Sequence, residues 1–372
     1  MRIVMFYHSL LSEWNHGNAH FLRGVARELI ERGHEVRIFE PREAWSLTNL
    51  VRENGRAPLR WFAEAYPTLA STRYNGRLDL EMALDGADLV LAHEWNDPAL
   101  IERLGEARKN GGAFRLLFHD THHRALTDPE SMRRYDLSHY DGVLVFGVPL
   151  REIYRANGWA DRVWVWHEAA DLRLCTGTPR AIEPEHDLVW IGNWGDEERT
   201  AELSEFLVDP VADLGLRATV FGVRYPDEGR QALADAGIVY RGWLPNFRVP
   251  SVFARSALTV HVPRRPYVQM LRGIPTIRMF EALACGIPLV SAPWHDDEQL
   301  FSAGRDYLVA RTGAEMRAHL RALRADRTAA EAMGEHGRRT ILARHTCGHR
   351  VTELLAIARE LGLTAARETR AA

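Results

Sequence analysis

The sequence predicts an α/β protein built from two doubly wound, parallel-sheet domains. Its 372 residues exceed what one hydrophobic core organises, since single cores stop growing at about 250–300 residues. Short apolar segments alternate with amphipathic segments of helical period, which is typical of successive β-α-β units. Residues 171–185 lack a periodic apolar stripe and separate two such series, so we interpret them as an interdomain linker.

The first series of elements begins at the N-terminus. Residues 2–7 are a predicted buried strand, and residues 18–32 carry apolar side chains at helical spacing. Gly33 ends that helix before a strand at 35–39, which completes a β-α-β opening. Polar clusters follow the later strands, where ligands bind in open parallel sheets. The remaining predictions here are strands at 87–92, 114–118, 142–146 and 163–167 and helices at 99–109 and 150–157.

The second series follows the linker and has the same alternation. The tail at 313–361 is predicted to be helical, and residues 350–361 have the pattern of an amphipathic helix. We therefore expect a first domain over 1–172, a second over 186–348 and a C-terminal helix within 349–366. The other predictions are strands at 188–191, 218–221, 239–240, 258–262 and 288–291 and helices at 201–214 and 275–284.

Composition and charge exclude several functional classes. With 46% hydrophobic and 26% charged residues, the chain is neither disordered nor collagen-like. The formal net charge of −3 argues against nucleic acid as the main partner, because polyanion-binding proteins are normally basic. No apolar run reaches the roughly 18 residues that span a bilayer, and no signal-peptide pattern opens the chain. We expect a cytoplasmic protein, with peripheral attachment at the inner face of the membrane as an alternative.

The cysteines do not predict a disulfide framework. Cys175, Cys285 and Cys347 are far apart in the sequence, and no Cys-x-x-Cys occurs. A cysteine zinc site is not expected for the same reason.

Six segments, in the right order, resemble retaining glycosyltransferases of the GT-B fold. Residues 276–290, TIRMFEALACGIPLV, resemble the donor-binding helix that runs Glu-Ala-x-Ala-x-Gly-x-Pro-Val-Val in that family. Their Arg-x-Phe-Glu-Ala form is most similar to the spore-maturation (CgeB-like) glycosyltransferases. The other five segments are Gly17 with RGHEV at 32–36, DLVLAH at 88–93, FHDT at 118–121, LVWIG at 188–192 and YRGWLP at 240–245.

The resemblance implies both a fold and an activity. The fold would be GT-B: two Rossmann-like domains facing across a cleft, an N-terminal acceptor domain and a C-terminal donor domain, with the C-terminal helix crossing back to the first. The activity would be that of a hexosyltransferase-type glycosyltransferase using a nucleotide sugar such as a UDP-sugar, metal-independent and retaining, without a cofactor. The acceptor would be a glycan, lipid, protein or small molecule. The nucleotide, the sugar, the acceptor and the stereochemical outcome remain open.

The predicted donor site lies at the start of the 275–284 helix. Pro275 suits the first turn of a helix, so the free N–H groups of Thr276 and Ile277 would form an anion site for a diphosphate. The resemblance assigns Glu281 to the ribose hydroxyls of the donor, with Arg278 on a neighbouring face. The alternative is a simple i,i+3 ion pair between Arg278 and Glu281.

Further donor contacts are implied by the resemblance, with two departures. Gly17 and Gly192 match glycines of the family's loops, and Arg199 matches a basic diphosphate contact. The alternative for Arg199 is a solvated helix arginine.

Asn193 stands where relatives have an arginine, and we count it among the donor contacts. Gly273 stands where relatives often have a glutamate that contacts the donor sugar. The sequence offers Arg264 and Arg265 as substitutes for the missing charge, or as surface residues.

The catalytic and acceptor candidates follow two strands of the first domain. His119 matches a family histidine that contacts the donor sugar, and Asp120 would hold its ring tautomer or bind acceptor hydroxyls. His93 and Glu94 are the acceptor-binding candidates. The alternative for His119 is a structural histidine.

The cluster formed by His119, His122 and His123, with Asp120 and His93 beside it, also permits a metal site. We expect no metal, because the family that the sequence resembles holds the diphosphate with arginines and helix termini.

Two other functions stay open. One is a nucleotide-sugar epimerase of the same fold. The other is a catalytically weak sugar-nucleotide-binding subunit of a glycosylation complex, which the departures at Asn193 and Gly273 favour. A dehydrogenase is not expected, because neither predicted domain opens with Gly-x-Gly-x-x-Gly.

Overall fold

The computed structural model describes residues 1–175, 179–195 and 197–363. The chain divides into two compact units: unit 1 comprises Met1–His167 and Cys347–Ala372, and unit 2 comprises Glu168–Thr346. The predicted linker at 171–185 therefore falls within unit 2, and its residues 176–178 lie outside the described part. The predicted C-terminal helix falls within unit 1, and its residues 364–366 also lie outside the described part.

Unit 1 is organised around a seven-stranded, entirely parallel sheet. The strand order is β3-β2-β1-β4-β5-β6-β7, so the order reverses direction between β1 and β4. The central strands are mainly apolar and, except for Arg2 at the start of β1, buried, as expected for a sheet covered on both faces. The strands are β1 Arg2–Phe6, β2 Glu35–Pro41, β3 Thr72–Tyr74, β4 Leu89–His93, β5 Arg115–Asp120, β6 Gly142–Val145 and β7 Val163–Val165.

Nine helices of the described residues complete unit 1. The last, α18, packs on α1, where the Arg32 guanidinium donates to the Gly348 carbonyl at 2.8 Å and to the Thr352 hydroxyl at 2.9 Å. The Trp166 indole N–H donates to the Arg350 carbonyl at 2.8 Å, which ties the same helix to the end of the sheet. The helices are α1 Ala19–Glu31, α2 Trp45–Asn54, α3 Ala57–Ala65, α4 Leu80–Leu84, α5 Pro98–Lys109, α6 Arg124–Thr127, α7 Pro129–Met132, α8 Val148–Ala156 and, far along the chain, α18 Cys347–Glu360.

Unit 2 repeats the architecture with a six-stranded parallel sheet. Its order is β10-β9-β8-β11-β12-β13, which is the same order as in unit 1 when strands are counted from the first of each unit. The reversal here lies between β8 and β11. The strands are β8 His186–Ile191, β9 Ala218–Phe221, β10 Val239–Tyr240, β11 Ser256–His261, β12 Leu289–Ser291 and β13 Leu308–Val309.

The helices of unit 2 differ from the predictions at two places. The predicted helix at 201–214 is interrupted by a π-helical turn, Ser204–Val208, which precedes Pro210; a proline has no N–H to continue the α-helical bonding. The helix predicted at 275–284 begins at Ile277 with Thr276 as N-cap, so Pro275 lies before the helix rather than in its first turn. The helices are α9 Leu172–Cys175, α10 Thr200–Leu203, α11 Asp209–Leu214, α12 Asp227–Asp235, α13 Val249–Ala254, α14 Arg265–Gln269, α15 Ile277–Ala284, α16 Gly313–Ala325 and α17 Arg327–Arg344; a 3₁₀ turn spans Asn246–Arg248.

The strand order positions one candidate site in each unit. In an open parallel sheet, loops on the two sides of the order reversal diverge and leave a crevice at the carboxyl ends of the strands. In unit 1 these loops follow β1 and β4, and in unit 2 they follow β8 and β11. Every helix in the described residues is too short or too polar to span a membrane.

A close approach between α17 and the end of α15 makes one glycine indispensable. A Cβ placed on Gly334 would lie 2.2 Å from the Gly286 carbonyl oxygen and 2.9 Å from its carbonyl carbon. Backbone atoms cannot give way as a flexible side chain can. We expect Gly334→Ala to lower the free energy of unfolding by about 1–3 kcal/mol or more, measured by denaturant titration.

A second helical glycine provides the matched control. A Cβ on Gly105, in α5, would meet the Tyr140 ring at 3.5 Å, which is an ordinary contact. Gly105→Ala should therefore be neutral or stabilising by up to about 1 kcal/mol, because alanine is the better helix former. Equal stability of the two variants would contradict the packing argument.

Candidate functional site

Four histidines form a buried chain at the crevice of unit 1. Their ring centroids are 5.6 Å apart for His8 and His16, 5.9 Å for His16 and His93, and 5.5 Å for His93 and His119. Burial lowers the pKa of His8 to about 4 and that of His119 to about 3. Burial, reinforced by neighbouring histidines, also lowers the pKa values of His16 and His93. All four rings are therefore neutral at physiological pH.

His119 lies within β5 rather than after it. Its ring packs against Trp166 and Phe21, with centroids 4.9 and 6.2 Å away, and the residue is only 2% exposed. The buried Nε2 atom has no hydrogen-bond partner. A buried polar atom without a hydrogen-bond partner lowers the stability of the folded protein. A ligand hydroxyl that bonded to the Nε2 atom of His119 would supply the missing partner.

Asp120 does not hold the ring of His119. Successive side chains of a strand point to opposite faces, and the Asp120 carboxylate accepts hydrogen bonds from the Tyr154 hydroxyl at 2.9 Å and from the His122 N–H at 3.0 Å. Burial, followed by the charge of Glu94, raises the pKa of Asp120 well above its usual value. The tautomer-holding role proposed for this carboxyl is therefore wrong, and its bonds instead fix the loop after β5.

Glu94 and His93 also use their polar atoms within the protein. The Glu94 carboxylate accepts from the Thr121 N–H at 2.9 Å and pairs with the Arg124 guanidinium at 2.7 Å, with no exposed surface. The His93 Nε2 lies 3.1 Å from both the Thr121 hydroxyl and the Asn18 amide nitrogen. Both side chains are buried and hold neighbouring loops together through these bonds; neither lines an open surface.

A cavity of about 570 Å³ opens directly after these two residues. Its walls come from the ends of β2, β3 and β4 and from the start of α5. Sequence analysis missed most of it, because the short β3 strand carries little periodic signal. Its polar and aromatic lining includes Tyr74, Arg77, Trp95, Asn96, Asp97 and Arg103.

Gly17 lies in the turn that leads into α1. Its carbonyl accepts the His20 N–H at 3.4 Å, and the next residue, Asn18, bonds to Thr121 across the crevice at 2.6 Å. The preceding loop is held by Arg23, whose buried guanidinium donates to the Leu10 carbonyl at 2.7 Å and pairs with Glu13 at 2.7 Å. Nothing in the spacing of Arg23 and Glu13 had identified this pair.

The two histidines that follow His119 contact each other and a neighbouring hydroxyl group. The ring centroids of His122 and His123 are 4.0 Å apart with an interplanar angle of 35°, and the His123 Nδ1 bonds to the Thr127 hydroxyl at 2.8 Å. Across residues 1–175, 179–195 and 197–363, no group of three or more His, Cys, Asp or Glu side chains has an arrangement suited to a metal ion.

In unit 2, the N-terminus of α15 is tied to the end of β11. The His261 ring bridges the Ser291 hydroxyl, 2.9 Å from Nδ1, and the Thr276 hydroxyl, 3.1 Å from Nε2. Thr276 is therefore oriented by the sheet, and Ile277 starts the helix behind it. Burial lowers the pKa of His261 to about 3, and the charge of Arg199 contributes to the same shift.

Arg278 and Glu281 form an i,i+3 ion pair, which the sequence analysis had named as the alternative to donor binding. Glu281 is 1% exposed, whereas Arg278 is partly exposed. Glu168 lies in the same electrostatic environment, where burial and the charge of Glu281 raise its pKa to about 8. The ion pair does not exclude donor binding by Glu281, because a carboxylate accepts several hydrogen bonds at once.

Arg199 is buried without a bound carboxylate. Its guanidinium donates to the carbonyls of Asn193, Trp194 and Val262 and lies over the Trp190 ring at 5.2 Å. Burial, with the nearby charge of Arg264, lowers its pKa to about 9. The alternative of a solvated helix arginine is wrong for this residue.

The two arginines after β11 are already paired. The Arg264 guanidinium donates to Glu198 at 3.0 Å, and that of Arg265 makes two bonds to Glu202, at 2.7 and 3.1 Å. Arg199 is therefore the residue of this group whose charge is least compensated.

Gly192 and Asn193 shape the loop after β8. The Gly192 carbonyl accepts the Tyr225 hydroxyl at 2.7 Å and comes so close to Gly222 that a Cβ there would lie 1.9 Å from it. The Asn193 side-chain oxygen accepts the Val223 N–H at 3.0 Å. Asn193 thus positions the β8 and β9 loops, a role that an arginine in its place would not reproduce.

Backbone conformation explains the departure at Gly273. Its φ of +93° is strained for other residues, and a Cβ there would lie 3.1 Å from Cγ of Glu298. A glutamate at position 273 would have to adopt this strained backbone conformation and displace the Glu298 side chain by a few tenths of an ångström.

Residues 199–356 match the family model described as "Glycosyl transferase-like". Sucrose-phosphate synthase from Thermosynechococcus elongatus is 15% identical with a TM-score of 0.66, over 97% of this chain and 99% of that one. HepE from Anabaena, solved with UDP and glucose, is 14% identical with a TM-score of 0.65, over 98% and 100%. An alpha-glucosyltransferase solved with UDP and DNA is 13% identical with a TM-score of 0.64, over 96% and 99%. No curated protein matches the sequence.

These comparisons establish the fold as GT-B, as the sequence predicted. Identities this low show the fold alone, whereas the family match lies mainly in unit 2, where the donor-helix motif was found. The resemblance to glycosyltransferases of this fold is thereby confirmed.

The histidine chain predicts a pH-dependent stability of known sign. A buried neutral histidine has a folded pKa below its unfolded value of about 6.5, so the unfolded state binds more protons and stability falls as pH drops below about 6.5. For His119, the loss continues to the folded pKa of about 3. We expect His119→Gln to reduce the slope of unfolding free energy between pH 6 and 4 by up to about 1.4 kcal/mol per pH unit.

Denaturant titrations of wild type and variant at several pH values check this expectation. Burial raises the pKa of Asp120, which gives a slope of opposite sign, so only the difference between the two proteins isolates His119. His119→Asn serves as a second variant of different shape. An unchanged slope in both variants would contradict the buried, neutral state.

Proposed function

We propose that the protein is a metal-independent, retaining glycosyltransferase that transfers a sugar from a nucleoside-diphosphate sugar, in the first instance a UDP-sugar, to an acceptor hydroxyl. Unit 2 binds the donor and unit 1 the acceptor. The family match over residues 199–356 supports the donor assignment, and the neighbours solved with UDP suggest the nucleotide.

The observation that carries the proposal is the buried charge of Arg199. Its guanidinium is bound only by carbonyl oxygens, and one of these belongs to Val262, the residue after His261. His261 in turn holds Thr276, the N-cap of α15. Arg199, a cation without a carboxylate partner, is thus connected to the N-terminus of α15 through Val262 and His261. Both the guanidinium and the helix N-terminus favour binding of a highly charged anion.

A diphosphate satisfies both groups without a metal ion. Helix N–H groups and arginine provide the positive potential that a divalent ion supplies elsewhere. The charge on the departing diphosphate grows in the transition state, so the same groups stabilise the leaving group during transfer.

We assign acceptor binding to the cavity after β4. Its volume of about 570 Å³ suits one or two sugar rings, and its lining offers hydrogen-bonding and aromatic groups together. Trp95 and Asp97, which are partly exposed and exposed, respectively, in the wall of this cavity, replace His93 and Glu94 as acceptor candidates, because the latter two are buried and use their polar atoms in internal bonds.

His119 is proposed to hold a sugar hydroxyl through its unpartnered Nε2. With a pKa near 3, the ring is neutral and cannot serve as a general acid at pH 7. Its contribution is therefore orientation of the reacting sugar rather than proton delivery.

A ligand screen in EDTA tests the proposed function directly. Thermal unfolding is followed with nucleoside diphosphates and nucleotide sugars, since a ligand of the native state raises its stability. We expect UDP and one UDP-sugar to raise the melting temperature with the chelator present. A shift that appears only when a divalent ion is added would contradict the metal-independent site.

Glu281→Ala tests the donor carboxylate. We expect nucleoside-diphosphate binding to weaken by about 1–3 kcal/mol, the range for losing charged hydrogen bonds, as measured by titration calorimetry. Glu335→Ala is the matched control, because Glu335 also forms an i,i+3 pair, with Arg338, but is exposed on α17. Unchanged affinity in folded Glu281→Ala, or an equal loss in the control, would refute the assignment.

His119→Ala separates orientation from structure. We expect turnover to fall on the order of a hundredfold while affinity for the free nucleoside diphosphate stays unchanged, because the diphosphate is assigned to unit 2. His139→Ala, at a half-buried histidine shortly before β6 and outside the proposed sites, should retain turnover. A variant that loses only melting temperature and keeps its turnover per folded molecule would show that His119 is structural.

Product analysis distinguishes the two alternative functions. An epimerase converts the nucleotide sugar without an acceptor, whereas a transferase releases free nucleotide faster when an acceptor is added. A binding subunit shows neither reaction while still binding the donor.

A further inference from the structure

Two cysteines that are 110 residues apart in the sequence meet in unit 2. The Sγ atoms of Cys175 and Cys285 are 3.3 Å apart. Both are free thiols that are partly accessible, whereas the third cysteine, Cys347, is buried in unit 1. The pair arises from tertiary structure alone, since α9 ends at Cys175 and α15 ends just before Cys285.

The pair adjoins a cavity that admits small molecules. Its volume is about 510 Å³, and both cysteines lie in its wall. The wall also includes Arg180, whose buried Nη1 atom has no hydrogen-bond partner, and the side chains of Glu331, Glu335 and Arg338. This cavity is open to solvent and has charged side chains in its wall, so it gives a water-soluble reagent a route to both sulfur atoms.

We propose that Cys175 and Cys285 form a dithiol site that small-molecule disulfides oxidise to an intramolecular disulfide. The sulfur atoms must approach from 3.3 Å to the bonded distance of about 2.05 Å, a movement of little more than 1 Å. Cys175 is the last residue of a four-residue helix, which allows a displacement of this size.

The reaction proceeds by two thiol–disulfide exchanges. The Cys175 thiolate attacks one sulfur of the reagent, forms a mixed disulfide and releases the first thiolate of the reagent, which takes up a proton. Cys285 then loses its proton and attacks the Sγ of Cys175, which releases the second half of the reagent as a thiol. Two protein thiols are oxidised to one disulfide, and one reagent disulfide is reduced to two thiols.

The local environment assigns the order of attack. The two sulfur atoms lie within hydrogen-bonding distance of each other, and this contact together with burial raises the pKa of the Cys285 thiol, which favours its protonated form. The thiolate is the nucleophile in exchange, which makes Cys175 the first to react and Cys285 the resolving thiol.

The bond would act on the helix that carries Glu281. The Cys285 N–H donates to the Glu281 carbonyl at 3.1 Å, so Cys285 closes the last turn of α15. A disulfide here also closes a loop of 110 residues, and long loops give the largest entropic stabilisation of the native state. Oxidation should therefore raise the denaturant midpoint of the full chain.

Oxidised glutathione tests the proposal on the full-length protein. The reduced protein is freed of reductant, incubated with oxidised glutathione and analysed by intact mass, thiol titration after denaturation and peptide mapping. We expect one of the three thiols to remain, a peptide that links Cys175 to Cys285 and a higher unfolding midpoint. Added dithiothreitol should restore three thiols and the original midpoint.

Two variants make the result specific. Cys347→Ser should form the same linked peptide and leave no free thiol, because Cys347 is outside the pair. Cys175→Ser should form no internal bond; Cys175→Ala repeats the test if the serine variant folds poorly. Retention of all three thiols, a mixed disulfide at Cys175 that does not resolve, or a linked peptide containing Cys347 would each overturn the proposal.

Discussion

Both candidate sites depend on one constraint, the parallel pairing of strands on the two sides of an order reversal. β1 pairs with β4 in unit 1, and β8 pairs with β11 in unit 2. Since the strands run in the same direction, their carboxyl ends and the loops after them come together at one edge. A shift of one residue in either pairing would invert every side chain with respect to the sheet, so the register also decides which atoms reach the crevice.

Desolvation then gives these atoms their chemical character. The same burial lowers the pKa of His119 to about 3, lowers that of Arg199 to about 9 and raises that of Glu168 to about 8. Each shift disfavours the charged form of its group. Unit 1 therefore presents neutral rings suited to hydroxyl groups, whereas the guanidinium in unit 2 is protonated at neutral pH and suited to phosphate.

Sequence analysis predicted the elements with strong periodic signals and the residues at their ends. The central strands, α1 and α15 came within about two residues of their observed bounds, and His93 and His119 fell where the predicted strands ended. The short β3 and the helices between β2 and β4 were missed, since short elements carry few periodic positions. The motif-based resemblance supplied the GT-B class, which periodicity alone does not give.

Periodicity and motifs did not predict contacts between residues that are distant in the sequence. The Cys175–Cys285 pair and the Arg23–Glu13 pair depend on how loops close over the core, and no spacing rule specifies them. The role of Asp120 failed for a different reason: adjacency in sequence suggested contact with His119, but the pleat of β5 turns the two side chains to opposite faces.

The contrast between Arg278 and Arg199 shows how anion binding by unit 2, as proposed above, would be linked to folding. Arg278 is neutralised by Glu281 three residues away, so its charge costs little in the free protein. Arg199 is buried among carbonyl oxygens, and an incompletely paired buried charge costs up to several kcal/mol. In the absence of a bound anion, the other interactions of unit 2 offset this unfavourable free energy. Under the proposed function, a donor diphosphate that neutralises Arg199 would remove this cost, so donor affinity and the stability of unit 2 would both depend on the same interaction.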